Sequence, residues 1–553
     1  MKLSLLLPLL AISLNLNSHT ALAQFNELMD DHGNLRPQYE KIYPAWSKIS
    51  PKKQEQFLIQ SKHAFKGDNS LDPLPRILTG AEYDQQLKPG VEQRAKALLA
   101  FLQDHYSGKK SYQKANIFPP HVLKRIIQRA NESQFENVLN PNDIAFVYGP
   151  DIIRDTNGTW RVIEDNPGFI GGFGDLKLAF DYMMQAYPKT LKSEQYRQPM
   201  SFYQQLAAGY RNQAQKKGGV AIFLRRTSLN DQEDLRLQKL LESQGIITVT
   251  PTTRKQIKVT NKGVYLYDKD ENQKLEKVGH ITLLGEHYWL EPSHPTTEMQ
   301  LFAHEIQDQL ENESLSKEAK KELIRLFDVI QKTPGKFDRE VAINLLQELN
   351  IPHKIIATQR AMSMAQNLMS AAYHGQVSLN YTPGVDFIGD KEFYVYVEEL
   401  IRFYLKEEPI IRNIETQKLA HHDGRLNEVL MKEVFDHLDQ YVIKKVDGRG
   451  GDAVWVGQKM KSEEISELRS RLELDPQMYI VQKFTPLSTM GDNIVDLRVI
   501  TDVSHQGILV TDTPWGRGLP RSGNGKVNLS DKGREVTVLV ESQRVPYCKW
   551  LFK

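Results

Sequence analysis

The spacing of apolar residues changes period several times along the chain, and each change marks an element. Between Val91 and Leu102 (VEQRAKALLAFL) apolar side chains recur at helical spacing, which predicts an amphipathic helix. Gly108 is placed to end that helix as a left-handed residue, with Lys109 and Lys110 just beyond. Residues 24 to about 140 read as mostly helical, and a further apolar helix-like run spans Leu176 to Tyr187. The period then shortens. Val220-Ala-Ile-Phe-Leu224 is a buried-strand run, Ser228-Leu-Asn-Asp opens a helix that ends at Gly245, and Ile246-Ile-Thr-Val-Thr250 is the next strand. Strand, helix, strand at this spacing predicts a right-handed βαβ unit and a parallel sheet. Residues 296 to about 370 are helix-rich and charged, broken at Pro334-Gly335, and from 381 onward the chain reads as α/β to its end. No internal repeat or low-complexity linker interrupts it.

Between the helical region and the βαβ unit lies Gly149–Gly174, GPDIIRDTNGTWRVIEDNPGFIGGFG. It reads as two short strands joined at Asn157-Gly158, the dipeptide that favours a two-residue type I′ hairpin. That loop sets Thr156 opposite Thr159, Arg154 opposite Arg161 and Asp151 opposite Glu164, with Asn166 on the face of Glu164. Facing carboxylates repel unless a cation lies between them. Carboxylate and amide oxygens suit Mg²⁺, so Asp151, Glu164 and Asn166 form a candidate metal cradle; a solvated hairpin is the alternative.

At 553 residues the chain has room for two to four domains. Its net charge of +2 argues against nucleic acid as a partner. Residues 1–23 combine Lys2, a leucine-rich core and an Ala21-Leu22-Ala23 end, the pattern of a signal peptide cleaved after Ala23. Asn15 and Asn17 interrupt the apolar run, which is short for a span, so export without stable membrane insertion is expected. Cys548 is the single cysteine, so no internal disulfide can form.

Two later stretches add chemistry. In Tyr441–Gly457 a strand delivers Lys444, a loop with Gly448, Gly450 and Gly451 follows, and a second strand returns. Glycines let backbone N–H groups converge on an anion and a lysine adds a point charge; a plain glycine-rich hairpin is the alternative. Met478–Phe484 is a strand, followed by Val495-Asp-Leu-Arg-Val-Ile500, in which Asp496 and Arg498 share one face and Leu497 and Val499 the other. Arg498 is either half of a surface ion pair or a group that offsets charge on a phosphate. Arg521, Asn528 and Ser530 lie in or after a glycine-rich segment, either a loop over a ligand or a surface loop. No Gly-x-Ser-x-Gly elbow or His-Glu-x-x-His motif competes, and the adjacent His421 and His422 read as surface residues.

In combination these stretches resemble the circularly permuted ATP-grasp family, over most of the chain after residue 23. The resemblance is carried by Leu74–Tyr83 and Gln93–Leu98, then Arg154-Asp with Trp160–Asn166, then Gly389-Asp-Lys391, the Lys444 loop, Gln482, Asp496-Leu-Arg498 and Val527–Ser530. The Glu-x-Asn precedes the lysines and glycine loop, whereas ordinary ATP-grasp enzymes have it after them. The resemblance implies an α/β fold, a circularly permuted ATP-grasp with a helical N-terminal region and a Rossmann-like pre-ATP-grasp domain. It divides the chain into 1–23 signal peptide, 24–140 helical region, 141–195 permuted metal-binding part, 196–380 Rossmann-like domain with a helical insertion, and 381–553 nucleotide-binding part. It further implies ATP and Mg²⁺, with Asp151, Glu164 and Asn166 on the metal. Lys391, Lys444, Gly448, Gly450, Gly451, Gln482, Lys483 and Asn528 would hold the nucleotide, and Arg498 and Arg521 would stabilise the transferring phosphoryl group. The implied reaction activates a small-molecule or peptide carboxylate as an acyl phosphate for attack by an amine. Two departures stand out. Pro167-Gly-Phe-Ile-Gly-Gly172 follows Asn166 where the family has a Pro-Ser-Gly type segment, and Lys483 replaces an acidic residue common on the adenine strand. A non-catalytic binding protein of this fold and a transferase of phosphate or nucleotide to protein are the competing readings, because an exported ligase needs a source of ATP.

Overall fold

The structure, a computed structural model, describes residues 24–542 except 67–68, 120, 131–138, 169, 226–231, 251–252, 261, 271–272, 284–305, 307–308, 311–314, 333–338, 350–367, 449–452 and 530–532. The expected signal peptide, the Pro334-Gly335 break, Gly450, Gly451, Ser530 and Cys548 lie outside the described residues.

Four sheets organise the fold. The largest has the order Arg76–Leu78, Arg534–Val540, Trp515–Pro520, Asn493–Arg498, Asp151–Arg154, Trp160–Glu164, Arg412–Asn413, with Thr489–Met490 pairing onto Asn493–Arg498. The first and last pairings are parallel and the rest antiparallel. The hairpin Asp151–Glu164 therefore pairs with a strand more than three hundred residues further along the chain, and permutation is visible as this long-range register. Strand alternation divides the sheet's faces. Ile152, Val162 and Leu497 are buried in the main apolar core, while Asp151, Glu164, Asp496 and Arg498 point to the other face.

A four-stranded antiparallel sheet, in the order Thr416–Lys418, Tyr479–Lys483, Tyr441–Lys445, Val454–Val456, forms the second wall of the site. Helices Glu428–Asp436 and Ser462–Leu474 contribute Leu430, Val434, Leu468 and Leu472 to its own apolar core. In the Rossmann-like region Val220–Leu224 pairs in parallel with Ile247–Val249 and with Gln273–Thr282, as the βαβ pattern predicts. The antiparallel strands Lys255–Thr260 and Gly263–Asp268, which the sequence reading did not resolve, extend that sheet.

The N-terminal region has the expected long helix, Lys88–Tyr106, and Gly108 sits at φ 77° beyond it. It also contains a strand, Arg76–Leu78, that adds to the edge of the large sheet. Three residues are too few for alternation to register in a sequence. The adjoining segment is tied down as well: Thr489 N–H donates to Phe25 O at 2.8 Å and Glu27 N–H to Thr489 O at 2.8 Å. Among the described residues no helix is long and apolar enough to cross a membrane.

The hairpin itself departs from expectation in an instructive way. Gly158 alone takes a left-handed conformation, at φ 79°, and its N–H bonds to Asp155 O at 2.9 Å. The Asp155 carboxylate accepts from Asn157 and Thr159 N–H at 3.0 and 2.9 Å, which favours this three-residue turn over the two-residue one. Arg154 thus faces Trp160, not Arg161. A bulge then takes up one residue, Ile163, and restores Asp151 opposite Glu164. Two deviations cancel, and the pairing that matters survives.

Candidate active site

The cleft lies between the polar face of the large sheet and the four-stranded sheet, and encloses about 930 Å³ of empty space, open solvent included. Register explains how its polar groups meet. Glu164, Asp151, Arg498 and Trp515 are successive cross-strand neighbours in one row, and Asp496 and Arg517 are neighbours in the next. Directly opposed residues share a face, so the sheet itself gathers these side chains.

Arg498 donates to Asp151 Oδ1 through Nε at 2.9 Å and Nη2 at 2.7 Å, and its Nη1 reaches Gly171 O at 3.3 Å. Arg517 grips Asp496 through two bonds of 3.1 and 2.6 Å, and its Nη2 lies 2.9 Å from Asp151 Oδ2. Both guanidiniums lie near the Trp515 ring, at 5.5 and 5.4 Å from its centroid. Burial alone would raise the Asp151 carboxyl, but the two arginines outweigh it and hold it at about 2. Asp151 is therefore a permanent anion whose two oxygens orient arginines. This departs from its expected place among the metal ligands.

Glu164 and Asn166 remain open to a cation. Asn166 Nδ2 donates to Gly149 O at 3.2 Å, which leaves its amide oxygen as the ligating atom. Glu164 Oε1 meets Lys391 Nζ at 2.9 Å. Among the described residues no group of three His, Cys, Asp or Glu side chains is arranged to hold a metal. One carboxylate plus one amide fits Mg²⁺ that takes its other ligands from phosphate and water.

Two buried lysines reach this point, one from the four-stranded wall and one from a short helix. Lys391 opens a short helix capped by Asp390, whose side chain accepts from Glu392 N–H, and its ammonium also bonds to Gly448 O. Lys444 donates to Ile163 O at 3.1 Å. That carbonyl belongs to the bulge residue, which the ladder leaves unpaired. Burial pushes the Lys444 ammonium down to about 8, although Glu164 acts in the opposite direction. A bound phosphate would return it toward the usual lysine range. Binding of Mg-ATP at pH 8.5 should then take up a fraction of a proton, and affinity should fall as pH rises through 8. Calorimetry in buffers of different ionisation enthalpy measures this, and Lys444→Met should abolish the uptake.

Gln482 borders the cleft and donates to Thr416 Oγ1 at 3.0 Å. Lys483 also borders it, but its ammonium is held by Tyr441 OH at 2.7 Å and lies 3.8 Å from Glu433. Asn528 lines the open side together with Gly525, Lys526 and Val527. Arg521 is not part of the cleft. It is exposed and donates to Gln24 Oε1 at 2.9 Å, because the Trp515–Pro520 strand ends just before it. The second arginine of the site is Arg517. The sequence signal was there, since Trp515-Gly-Arg-Gly alternates large and small residues, but the glycines made the stretch read as a loop. They are instead the packed face: a Cβ on Gly516 would lie 2.6 Å from Val536 O, and one on Gly518 3.0 Å from Val536 Cγ2.

Beneath the hairpin, Arg94 donates to both oxygens of Asp165 at 2.6 and 2.7 Å, and Tyr148 OH to the same carboxylate at 2.6 Å. Asp165 lies between Glu164 and Asn166, so this buried pair anchors the ligating residues from behind. The remaining cleft wall is apolar: Ile153, Ile163, Ile414, Val442, Val456 and Phe484. Cationic side chains in the lining outnumber carboxylates, five to three. An apolar wall leading to buried lysines and arginines suits a nucleobase joined to a polyphosphate.

Such a cleft between two sheets has the form of a nucleotide site, and the class it points to is that of ATP-dependent ligases. Residues 75–230 and 353–512, more than half of the chain, match the model of the circularly permuted ATP-grasp type 2 family, and the protein belongs to that family. An uncharacterized protein of Mycobacterium bovis is 23% identical over 85% of this chain and 74% of its own length. One from Synechocystis is 24% identical over 84% and 82%. A candidate glutamate–cysteine ligase of Frankia alni is 22% identical over 88% of this chain, which spans 50% of that protein. Among solved structures, a glutathione synthetase-like effector of Globodera pallida aligns with TM-score 0.48 and 10% identity, over 89% of this chain and 98% of the effector.

Proposed function

We propose that this protein is an exported, Mg²⁺-dependent carboxylate–amine ligase of the ATP-grasp type, acting through an acyl phosphate. The observation that carries the reading is the gathering of Lys391 on Glu164, Lys444 on Ile163 O, and Arg498 and Arg517 on Asp151, at the polar end of an apolar-walled cleft. Glu164 and Asn166 would hold Mg²⁺, which supplies charge neutralisation of the phosphates. Lys444 from the four-stranded wall and Lys391 from the short helix Lys391–Tyr394 bind the phosphates. Arg498 and Arg517, already fixed by Asp151 and Asp496, meet the charge that develops on the transferring group without having to reorganise. The likeness to the candidate glutamate–cysteine ligase of Frankia alni supports amino-acid or short-peptide substrates.

The test is product analysis with protein beginning at Gln24. Mg-ATP with a panel of amino acids and short peptides should release ADP and phosphate only when carboxylate and amine are both present. Release of AMP or pyrophosphate, or label left on a protein, would instead favour transfer to protein. Absence of Mg-ATP binding at millimolar concentration would favour a binding protein without catalysis. Export is checked by the N-terminal residue of the secreted fraction, expected to be Gln24.

A further inference from the structure

Behind the arginine pair two carboxyl groups meet in the protein interior. Asp175 and Glu535 are each 0% exposed and lie within hydrogen-bonding reach of one another. Glu535 Oε2 accepts from the Trp515 indole N–H at 3.1 Å, and its Oε1 from Asn69 Nδ2 at 3.2 Å. Asp175 Oδ1 is bonded by Arg236, while Oδ2 has no hydrogen-bond donor and only the Glu535 carboxyl to turn to. Two carboxylates cannot bond; a carboxylic acid and a carboxylate can. The Trp515 ring above them is confined on its other side. Gly172 sits at φ 95°, and a Cβ there would stand 2.3 Å from the indole. Nothing larger than glycine fits, so the ring position is set by the Glu535 bond and this close approach, and the ring in turn lies against Arg498 and Arg517.

We propose that Asp175 and Glu535 share one proton and act as a positioning pair, holding Trp515 and through it the two arginines bound to Asp151. Its consequence for turnover rests on the ligase reading. The other ionisable groups facing the pair are Glu233 and Arg236 on helix Gln232–Glu242, and Tyr203 on helix Pro199–Lys216, whose hydroxyl donates to Phe173 O at 2.7 Å. Arg517 is the cross-strand neighbour of Glu535. Arg236 supplies one positive charge, which offsets one carboxylate and not two, while Glu233 adds a further negative charge. Burial accordingly raises both members: Asp175 well above its usual range and Glu535 to about 7. A carboxyl raised in the folded state keeps its proton below that pH, so Glu535 ionises as pH rises through about 7 and its carboxylate then accepts from the Asp175 acid, which keeps the shared proton.

Fluorotryptophan labelling with ¹⁹F NMR tests the pair without any substrate, using Trp515→Phe to assign the resonance. The Trp515 signal should shift with a midpoint near pH 7 in the unsubstituted protein. It should stay constant in Glu535→Gln, which retains an amide donor for Asp175 and an acceptor for the indole. Asp175→Asn, which removes the holder of the proton, should displace the midpoint and serves if the first variant fails to fold. A Trp515 resonance that does not titrate between pH 5.5 and 8.5, or that titrates unchanged in both variants, overturns the proposal. At saturating Mg-ATP, where Lys444 is already charged, kcat should rise about tenfold from pH 6 to 8.5 as the one-proton pair forms, and the ratio should flatten toward one in Glu535→Gln. If the resonance titrates as expected and no ligase turnover exists, the pair stands and the ligase reading fails.

Discussion

Glu164→Gln should lower turnover roughly a thousandfold, equivalent to about 4 kcal/mol of transition-state stabilisation. The change is isosteric, so the bulge and its neighbours are kept, but it removes the one carboxylate that the cleft leaves open to a cation. It also removes the negative partner of Lys391, 2.9 Å away. The loss should be accompanied by a higher Mg²⁺ requirement. Asp151→Asn provides the contrast. Both oxygens of Asp151 are occupied by arginines, so its substitution should lower kcat by loosening Arg498 and Arg517 while leaving the Mg²⁺ dependence unchanged. Titrating Mg²⁺ against initial rate in the two variants separates these roles. A fall of less than tenfold in Glu164→Gln, or a shifted Mg²⁺ requirement in Asp151→Asn, would reverse the assignment.

The second large effect is on stability. Arg94→Met leaves Asp165 buried with Tyr148 as its remaining partner and should cost about 3–5 kcal/mol, since breaking a buried pair strands a charge. Replacing both members, Arg94→Met with Asp165→Leu, should recover much of that loss, because the cost lies in the uncompensated carboxylate rather than in the absence of the pair. Amide exchange across Trp160–Glu164 should accelerate roughly a hundred- to a thousandfold in the single variant. Unchanged exchange and an unchanged denaturation midpoint would show that Asp165 does not anchor the hairpin.

How far the site was legible follows from the range of each interaction. Asp496 and Arg498 on one face, with Leu497 on the other, needs only the pleat of a single strand, and the structure has it so. Asp151 opposite Glu164 needs two strands and a turn. It was reached with the wrong loop, because Asp155 capping two N–H groups outweighed the turn preference of Asn157-Gly158, and the bulge at Ile163 restored the pairing. Arg517 was hidden by its flanking glycines, which only the neighbouring strand Arg534–Val540 explains. The partnership of Arg94 with Asp165 has no local signature. Nothing near either residue indicates that a helix of the N-terminal region passes beneath the hairpin.

The sequence by itself determined the family, the α/β character, the permuted order of its motifs and the face on which Asp496 and Arg498 lie. These depend on residue type and a two-residue period, which are written locally. Tertiary structure alone decided which charges neutralise which. It assigned Asp151 to the arginines and kept Glu164 and Asn166 out of that ion-pair cluster. It also set Arg517 in place of Arg521, and closed Asp175 against Glu535 behind Trp515. The reason is physical: the strength of a charge depends on what is buried beside it, and those neighbours come from stretches hundreds of residues apart.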